Sequence, residues 1–197
     1  LHPLTKDLPK PLLTVGSKPI LQSTIERLAD EGFSRFYLAV HYKADLVRKH
    51  FGDGSQWGIS ISYLIEKEPL GTAGALGSLK AEPIKEPLVV MNGDILTQLD
   101  FNQLLEYHER CGGVATMCIC EYDFQIPYGV VKSDGSYVRE IIEKPAQKFS
   151  VNAGIYVLNP ELVHRSDFLQ PKNMPDFLQE IIEDGKQVNM FPIHEYW

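Results

Sequence analysis

The segment Leu88-Val89-Val90-Met91-Asn92-Gly93-Asp94 joins an unbroken apolar run to a polar turn. A short apolar run that ends at turn residues predicts a strand buried on both faces, as in a parallel sheet. In open α/β sheets, ligands bind beyond the carboxyl ends of such strands. Asp94 is therefore expected at a ligand-facing strand end, where one carboxylate together with substrate phosphates suits Mg²⁺.

Strand-like and helix-like stretches alternate on both sides of this segment. Helices are predicted over residues 20–29, 44–51, 72–80, 100–110 and 175–183. Strands are predicted over 36–40, 59–65, 87–91, 114–120, 154–158 and 188–193, with a hairpin at 128–142. The alternation predicts one α/β domain with a mostly parallel sheet flanked by helices and a β-rich second half.

Composition and net charge exclude several classes of function for this chain. The chain has 197 residues, 44% hydrophobic and 23% charged, which is typical of a soluble globular domain. Its longest apolar run is far shorter than the roughly 20 residues of a membrane span. A net charge of −7 argues against nucleic acid or an anionic membrane as a partner. Three cysteines without a C-x-x-C pair indicate a reducing compartment, so we expect a cytoplasmic location.

Two segments before Asp94 are candidates for phosphate and nucleotide binding. Lys10 lies between Pro9 and Pro11, whose rings restrict the backbone and so hold the cation in place. The alternative is a solvated surface lysine. The segment 66–77 follows a predicted strand and opens a predicted helix, and Gly71 allows a ligand to approach the backbone closely. The alternative there is a tight turn that packs a helix on the sheet.

A third candidate segment lies in the β-rich half. Glu143-Lys144-Pro145 precedes Asn152-Ala153-Gly154-Ile155-Tyr156 by a few residues. An acid and a base at a strand end suit a sugar hydroxyl and its phosphate. Such a pair, taken alone, is more often a surface ion pair that contributes little to stability.

Taken in chain order, the segments around Lys10, Gly71, Asp94, Lys144 and Asn152 resemble those of the sugar-phosphate nucleotidylyltransferases. The resemblance is strongest to the mannose-1-phosphate guanylyltransferase-like members. The resemblance covers essentially the whole chain. It implies a Rossmann-like fold and a reaction of a nucleoside triphosphate with a sugar 1-phosphate, which gives a nucleoside diphosphate sugar and pyrophosphate with Mg²⁺ as the cofactor. It leaves room for a homo-oligomer and for a fused regulatory domain.

The resemblance also implies a role for each matching residue. The nucleotide would be bound by Lys10, Glu66, Gly71, Thr72 and Asp94, and the sugar phosphate by Gly129, Glu143, Lys144 and Asn152. Lys10, Asp94 and Lys144 would carry the catalysis, and Asp94 would hold the metal. Glu66 would recognise guanine, since a carboxylate accepts from the two adjacent N–H donors of that base.

The chain departs from the family pattern at both ends. The family begins with a strand and a glycine-rich loop that hold the triphosphate, and it places a second metal-binding aspartate after a motif like Glu195-Tyr196-Trp197. We therefore expect residues 1–197 to be a catalytic domain that lacks both features, is inactive by itself and has an interrupted central sheet.

Three other functions compete with this hypothesis. One is an inactive paralogue that binds a nucleoside diphosphate sugar and regulates a partner. Another is a uridylyl- or thymidylyltransferase of the same family. The third is a metal-dependent glycosyltransferase, but that class uses an Asp-x-Asp strand end, whereas residues 92–94 contain only one acid.

Overall fold

A computed structural model describes residues 8–165 and 170–195. Part of the opening motif, in residues 1–7, and the last two residues of the terminal motif lie outside the described residues. None of the helices in the described ranges is long and apolar enough to cross a membrane.

The elements follow the predicted alternation of helices and strands. The helices are α1 (Ile20–Asp30), α2 (Ala44–Phe51), α3 (Gly71–Gly74), α4 (Phe101–Cys111), α5 (Pro160–Val163) and α6 (Met174–Glu183). The strands are β1 (Thr14–Val15), β2 (Lys18–Pro19), β3 (Arg35–Val40), β4 (Ser60–Ile65), β5 (Leu88–Met91), β6 (Ala115–Gln125), β7 (Val130–Asp134), β8 (Tyr137–Ile142), β9 (Ala146–Leu158) and β10 (Val188–Ile193). Short 3₁₀ turns cover Lys10–Leu12, Ser55–Trp57 and Ala75–Leu79.

Local sequence explains where several helices begin and end. The Asp100 side chain accepts a hydrogen bond of 3.0 Å from the backbone N–H of Gln103, which caps α4 at its start. Gly112, with φ +69°, ends the same helix in the left-handed region. The predicted helix over 72–80 is only one α-helical turn followed by a 3₁₀ turn, because its glycines lower helix propensity.

The main sheet has the strand order β10-β6-β9-β5. Strand β10 is parallel to β6, and β9 is antiparallel to both β6 and β5, so β5, β6 and β10 run in one direction. Strands β3 and β4 form a separate parallel pair. The mixed α/β class with a mostly parallel sheet is therefore confirmed, and β9 is the strand that reverses.

The sheet is interrupted between β3 and β5. Among the described residues, no backbone hydrogen bond joins these two strands. A cavity of about 400 Å³ separates them, and apolar side chains such as Leu38, Leu64, Leu76 and Val89 line it. The expected interruption of the central sheet is present at this position.

Strands β6 and β9 extend well beyond the predicted ranges of 114–120 and 154–158. Residues 121–125 and 146–150, here called the ribbon, pair in register outside the core. Tyr122 and Phe149 are cross-strand partners on one face, and Asp123 and Lys148 are partners on the other. The sequence prediction was too short because these residues are exposed on both faces, so no burial pattern marks the strand.

Candidate functional site

A cavity of about 720 Å³, here called the main cavity, lies at the carboxyl end of β5. It contains three of the predicted site residues, Thr72, Asp94 and Asn152. The full lining is Thr72, Asn92, Asp94, Ile95, Leu96, Asn152, Ala153, Gly154, Tyr156, Asn173, Pro175 and Asp176.

A bulge in β9 turns Asn152 toward this cavity. Met117 pairs with Tyr156 and Ile119 pairs with Asn152, so β9 has two more residues than β6 over the same step. Gly154 lies inside the bulge with φ +73°, and a Cβ there would come within 2.6 Å of Asn92 Nδ2. The sequence Asn-Ala-Gly suits this geometry, because the asparagine side chain bonds to the backbone two residues later.

The amide group of Asn152 is held by two hydrogen bonds. Its Oδ1 accepts from the backbone N–H of Gly154 at 2.9 Å, and its Nδ2 donates to the Tyr156 hydroxyl at 2.7 Å. Burial raises the pKa of that hydroxyl, so Tyr156 stays neutral at physiological pH. The orientation of Asn152 is therefore fixed before any ligand binds.

An ion pair joins the predicted phosphate lysine to the predicted metal carboxylate. The Lys10 ammonium group donates to the Asp94 carboxylate, although the two residues are 84 positions apart in the chain. Lys10 opens the 3₁₀ turn after Pro9, and the turn is anchored by the buried Leu12. The side chains are 51% and 35% exposed, so the pair is worth only about 0–1 kcal/mol and can be exchanged for charged ligands.

A second cavity, of about 620 Å³, lies at the carboxyl end of β3 on the other side of this ion pair. Lys10 contributes to its lining together with His41 and Tyr42. The His41 Nδ1 donates a 2.9 Å hydrogen bond to the carbonyl oxygen of Glu66, which places the predicted base-recognising residue beside this cavity. The Lys10–Asp94 pair thus separates two cavities.

The turn at Gly71 is tied to the start of α6. The backbone N–H of Ala73 donates to Lys172 O at 3.0 Å, and that of Met174 donates to Thr72 Oγ1 at 2.8 Å. Gly71 has φ +77°, and a Cβ there would come within 2.5 Å of Lys172 O. Close packing by residue 172 is thus one physical reason for glycine at position 71, beside the predicted contact with a ligand.

The remaining predicted residues form a separate group at the base of the hairpin β7–β8. A Cβ on Gly129 would lie 3.0 Å from the Glu143 carboxylate, and Lys144 N–H donates to Tyr128 O at 3.3 Å. Lys144 has φ +44°, a conformation that costs a non-glycine residue about 1–2 kcal/mol. Asn152 lies eight residues after Lys144, a separation of roughly 26 Å in an extended chain. The structure therefore brings these three residues together but not into the main cavity.

Several cavity residues were missed by the sequence analysis. Asn92 and Tyr156 belong to the segments 88–94 and 152–156, so their positions beside Asp94 and Asn152 were a usable signal. His41 and Tyr42 follow a predicted strand and carried a weaker form of the same signal. Asn173 and Asp176 precede and open a predicted helix, and nothing in the sequence relates them to Asp94.

The donor set around Asp94 suits a hard cation that also binds substrate oxygens. Within residues 8–165 and 170–195, no three histidine, cysteine, aspartate or glutamate side chains cluster as a ready-made metal site. Mg²⁺ commonly uses one or two carboxylates, with waters and substrate phosphates as its other ligands. Asp94 at the mouth of a large cavity fits this pattern.

A family model and curated relatives match this chain over its whole length. The model of the family described as nucleotidyl transferase matches residues 1–197. Mannose-1-phosphate guanyltransferases from Pichia angusta and Saccharomyces cerevisiae are 34% and 31% identical over all of this chain, which covers 56% of each. The chain thus spans about half the length of these curated relatives.

Solved structures share the fold. HddC from Yersinia pseudotuberculosis is 26% identical with a TM-score of 0.72, over 96% of this chain and 83% of that one. The same protein complexed with GMP-PN gives 26% and 0.73, over 100% of this chain and 86% of that one. The family model matches every residue, so the chain belongs to the nucleotidyl transferase family.

Proposed function

We propose that the protein transfers a nucleotidyl group from a nucleoside triphosphate, preferably GTP, to a sugar 1-phosphate. A phosphate oxygen of the sugar 1-phosphate attacks the α-phosphorus of the nucleotide. The bond from that phosphorus to the bridging oxygen breaks, and pyrophosphate leaves. The products are a nucleoside diphosphate sugar and pyrophosphate.

The observation that carries this proposal is the Lys10–Asp94 pair between two cavities. Two substrates that react through phosphate groups need two binding spaces that meet at a charge-neutralising point. In-line displacement at phosphorus asks the protein mainly for positioning and electrostatic stabilisation. A weak, exposed ion pair supplies both charges and separates at little cost when substrates arrive.

Each member of the pair has a role in this proposal. Lys10 would move its ammonium group from Asp94 to the nucleotide phosphates. Asp94 would hold Mg²⁺, which when bound neutralises the charge that develops on the phosphate oxygens. Both changes favour the charge distribution of the transition state over that of the free protein.

The sugar phosphate is assigned to Asn152 and to the group at the hairpin base. Asn152 has a second amide hydrogen that it can donate to a sugar hydroxyl. Gly129 and Glu143 would contact the sugar, and Lys144 would pair with its phosphate. Mannose or a related hexose or heptose 1-phosphate is the proposed acceptor, and the names of the curated relatives support mannose.

The choice of GTP rests on Glu66. Guanine presents two adjacent N–H donors that match the two oxygens of a carboxylate. Uracil and thymine present one N–H between two acceptors, which would repel the carboxylate. HddC, solved with GMP-PN at 26% identity, is consistent with a guanine nucleotide.

The gap between β3 and β5 supports a larger catalytic unit. We propose that one more strand fills this gap, and that the active protein also needs a glycine-rich loop and a second metal ligand outside residues 1–197. The three free cysteines support a reducing, cytoplasmic location. A homo-oligomer and a fused regulatory module remain predictions of the family resemblance.

A nucleotide panel on the full-length protein tests the function. Pyrophosphate release is measured with GTP, ATP, CTP, UTP and dTTP against mannose 1-phosphate and glucose 1-phosphate, with Mg²⁺ present. GTP is expected to be at least about tenfold more efficient than UTP, a difference of about 1.4 kcal/mol. No release with any pair would exclude the enzyme and favour the regulatory paralogue.

The matched variants for base recognition are Glu66→Gln and Glu68→Gln. Glu66→Gln is expected to remove most of the preference for GTP over UTP, because an amide suits the uracil edge better than a carboxylate does. Glu68 is exposed two residues away, and its variant is expected to keep that preference. Equal behaviour of the two variants would exclude Glu66 as the base-recognising residue.

A further inference from the structure

Residues just before and at the start of α6, here called the α6 wall, form part of the lining of the main cavity. Asn173, Pro175 and Asp176 line the same cavity as Asp94 and Asn152. We infer that Asn173 and Asp176 bind hydroxyl groups of the acceptor sugar and so determine which sugar 1-phosphate is used. This inference rests on the proposed function and assigns its sugar specificity to two residues.

The position of Asn173 is fixed by its neighbours in the chain. Lys172 N–H donates to Leu70 O at 2.8 Å, and Met174 N–H donates to Thr72 Oγ1 at 2.8 Å, so hydrogen bonds flank Asn173 on both sides. The Met174 side chain is fully buried in the core. Asn173 Oδ1 itself lies 3.0 Å from the place where a Cβ of residue 71 would stand. A residue held in this way loses little further freedom when it binds a ligand.

Within residues 8–165 and 170–195, the hydrogen-bonding groups of the Asn173 side chain are hardly used. Its side chain makes no capping bond to the N–H groups of α6, and its Nδ2 lies 3.5 Å from Asp176 Oδ2, at the long limit for a hydrogen bond. Asn152 in the same cavity differs, because its amide makes two short bonds to Gly154 and Tyr156. Most hydrogen-bond donors and acceptors of the α6 wall are therefore available to a ligand.

The chemistry of this wall suits hydroxyl groups better than phosphate. An amide offers a donor and an acceptor, and a carboxylate accepts from two hydroxyl groups at once. The Asp176 carboxylate makes the start of α6 unfavourable for a phosphate. The sugar phosphate is then directed toward the lysines, and the sugar ring toward Asn173 and Asp176.

The test combines variants of these residues with sugars that lack single hydroxyl groups. In the full-length protein with saturating GTP, kcat/KM is measured for the better of mannose 1-phosphate and glucose 1-phosphate. It is measured again for the deoxy analogues of that sugar that lack one ring or exocyclic hydroxyl. The variants are Asn173→Ala and Asp176→Ala. Gln179→Ala is the control, since Gln179 lies on the same helix and its exposed side chain bonds to Glu183 on the surface.

Each variant is expected to lose about tenfold or more with the parent sugar. It is expected to lose no more than twofold with the one analogue that lacks the hydroxyl it binds, because that contact is already absent. A purely structural role would lower kcat/KM equally for parent and analogue. The KM for GTP is expected to stay within twofold, and Gln179→Ala is expected to behave as the wild type.

Two results would overturn the inference in different ways. Turnover by the wild type, with equal losses for parent and every analogue in both variants, overturns the role of Asn173 and Asp176 alone. Absence of turnover with any sugar 1-phosphate overturns the proposed function, and this inference falls with it.

Discussion

The predicted site residues occupy two regions that differ in how the protein supports them. Around the main cavity, Asp94 and Asn152 lie next to strands whose residues, such as Ala153 and Ile155, are fully buried. At the hairpin base, Glu143 and Lys144 belong to a surface that is exposed on nearly every side chain. The cavity group is thus preorganised by the core, whereas the hairpin group is held by backbone geometry at the end of a long ribbon.

Because of this difference, we expect the two regions to bind different parts of the substrates. The proposed nucleotide and metal site needs groups in defined positions, and the buried strands beside Asp94 and Asn152 hold these two residues in place. If both regions bind one sugar phosphate, the ribbon must curve toward the cavity. Variants at matched positions can show which region is already in its binding geometry and which region must move to bind the sugar phosphate.

The largest effect is expected in the cavity region, from Asp94→Asn in the full-length protein. The amide keeps the shape but removes the charge that would hold Mg²⁺, so pyrophosphate release should fall on the order of 10³-fold. Nucleotide affinity measured without metal should not fall, since Lys10 is freed from its partner. Asp134→Asn in the hairpin is the control, and a wild-type rate in Asp94→Asn would contradict the assignment.

The second largest effect is expected on stability, in a comparison of Gly154 and Gly135, which both have positive φ. Gly154→Ala should destabilise the protein by roughly 2–4 kcal/mol, because the left-handed strain adds to a collision with Asn92. Gly135→Ala at the hairpin turn should cost only about 1 kcal/mol, since nothing lies near its added methyl group. Urea unfolding of both variants measures the difference, and equal losses would show that the bulge is not rigid.

A third comparison separates charge from backbone geometry at Lys144. Lys144→Ala and Lys144→Gly should both lower kcat/KM for the sugar phosphate by about 100-fold, or about 2.7 kcal/mol. The glycine variant should be more stable than the alanine variant by about 1 kcal/mol, since glycine accepts φ +44° without strain. Retained activity in the glycine variant would mean that the conformation matters and the cation does not.

The smallest effect is expected in the ribbon. The Glu121–Lys148 ion pair is exposed on both sides, so Lys148→Gln should leave the urea midpoint unchanged within error. The hydrogen bond that Lys148 donates to the Glu121 carboxylate raises the pKa of Lys148, which stays charged at neutral pH with or without it. A clear shift of the midpoint would indicate that the ribbon takes part in the cooperative fold.

Most of the core elements could be predicted from the sequence because they leave periodic burial patterns. Helix α2 has the predicted bounds, and β10 has the predicted range of 188–193. The ribbon could not be delimited, since a two-stranded extension with solvent on both faces has no buried side to impose alternation. The bulge at Gly154 was equally hidden, because it depends on the register of β9 against β6.

The candidate site was predictable where strand ends carry polar residues. Asp94 was predicted in this way and Asn152 from the family resemblance, and both line the main cavity. Asn173 and Asp176 were not found, because their approach to the cavity depends on hydrogen bonds between residues about 100 positions apart. The separation of Lys144 from the cavity also depends on tertiary structure, namely the length and direction of the ribbon.

The interruption between β3 and β5 has a consequence for amide hydrogen exchange. Ser60 N–H donates to Ser34 O and Glu66 N–H donates to Val40 O, so the even-numbered residues of β3 bond to β4. Arg35, Tyr37 and Ala39 then direct their N–H groups into the gap. Deuterium uptake should therefore alternate along this one strand, fast at odd positions and slow at even ones, until another strand occupies the gap and makes the whole strand slow.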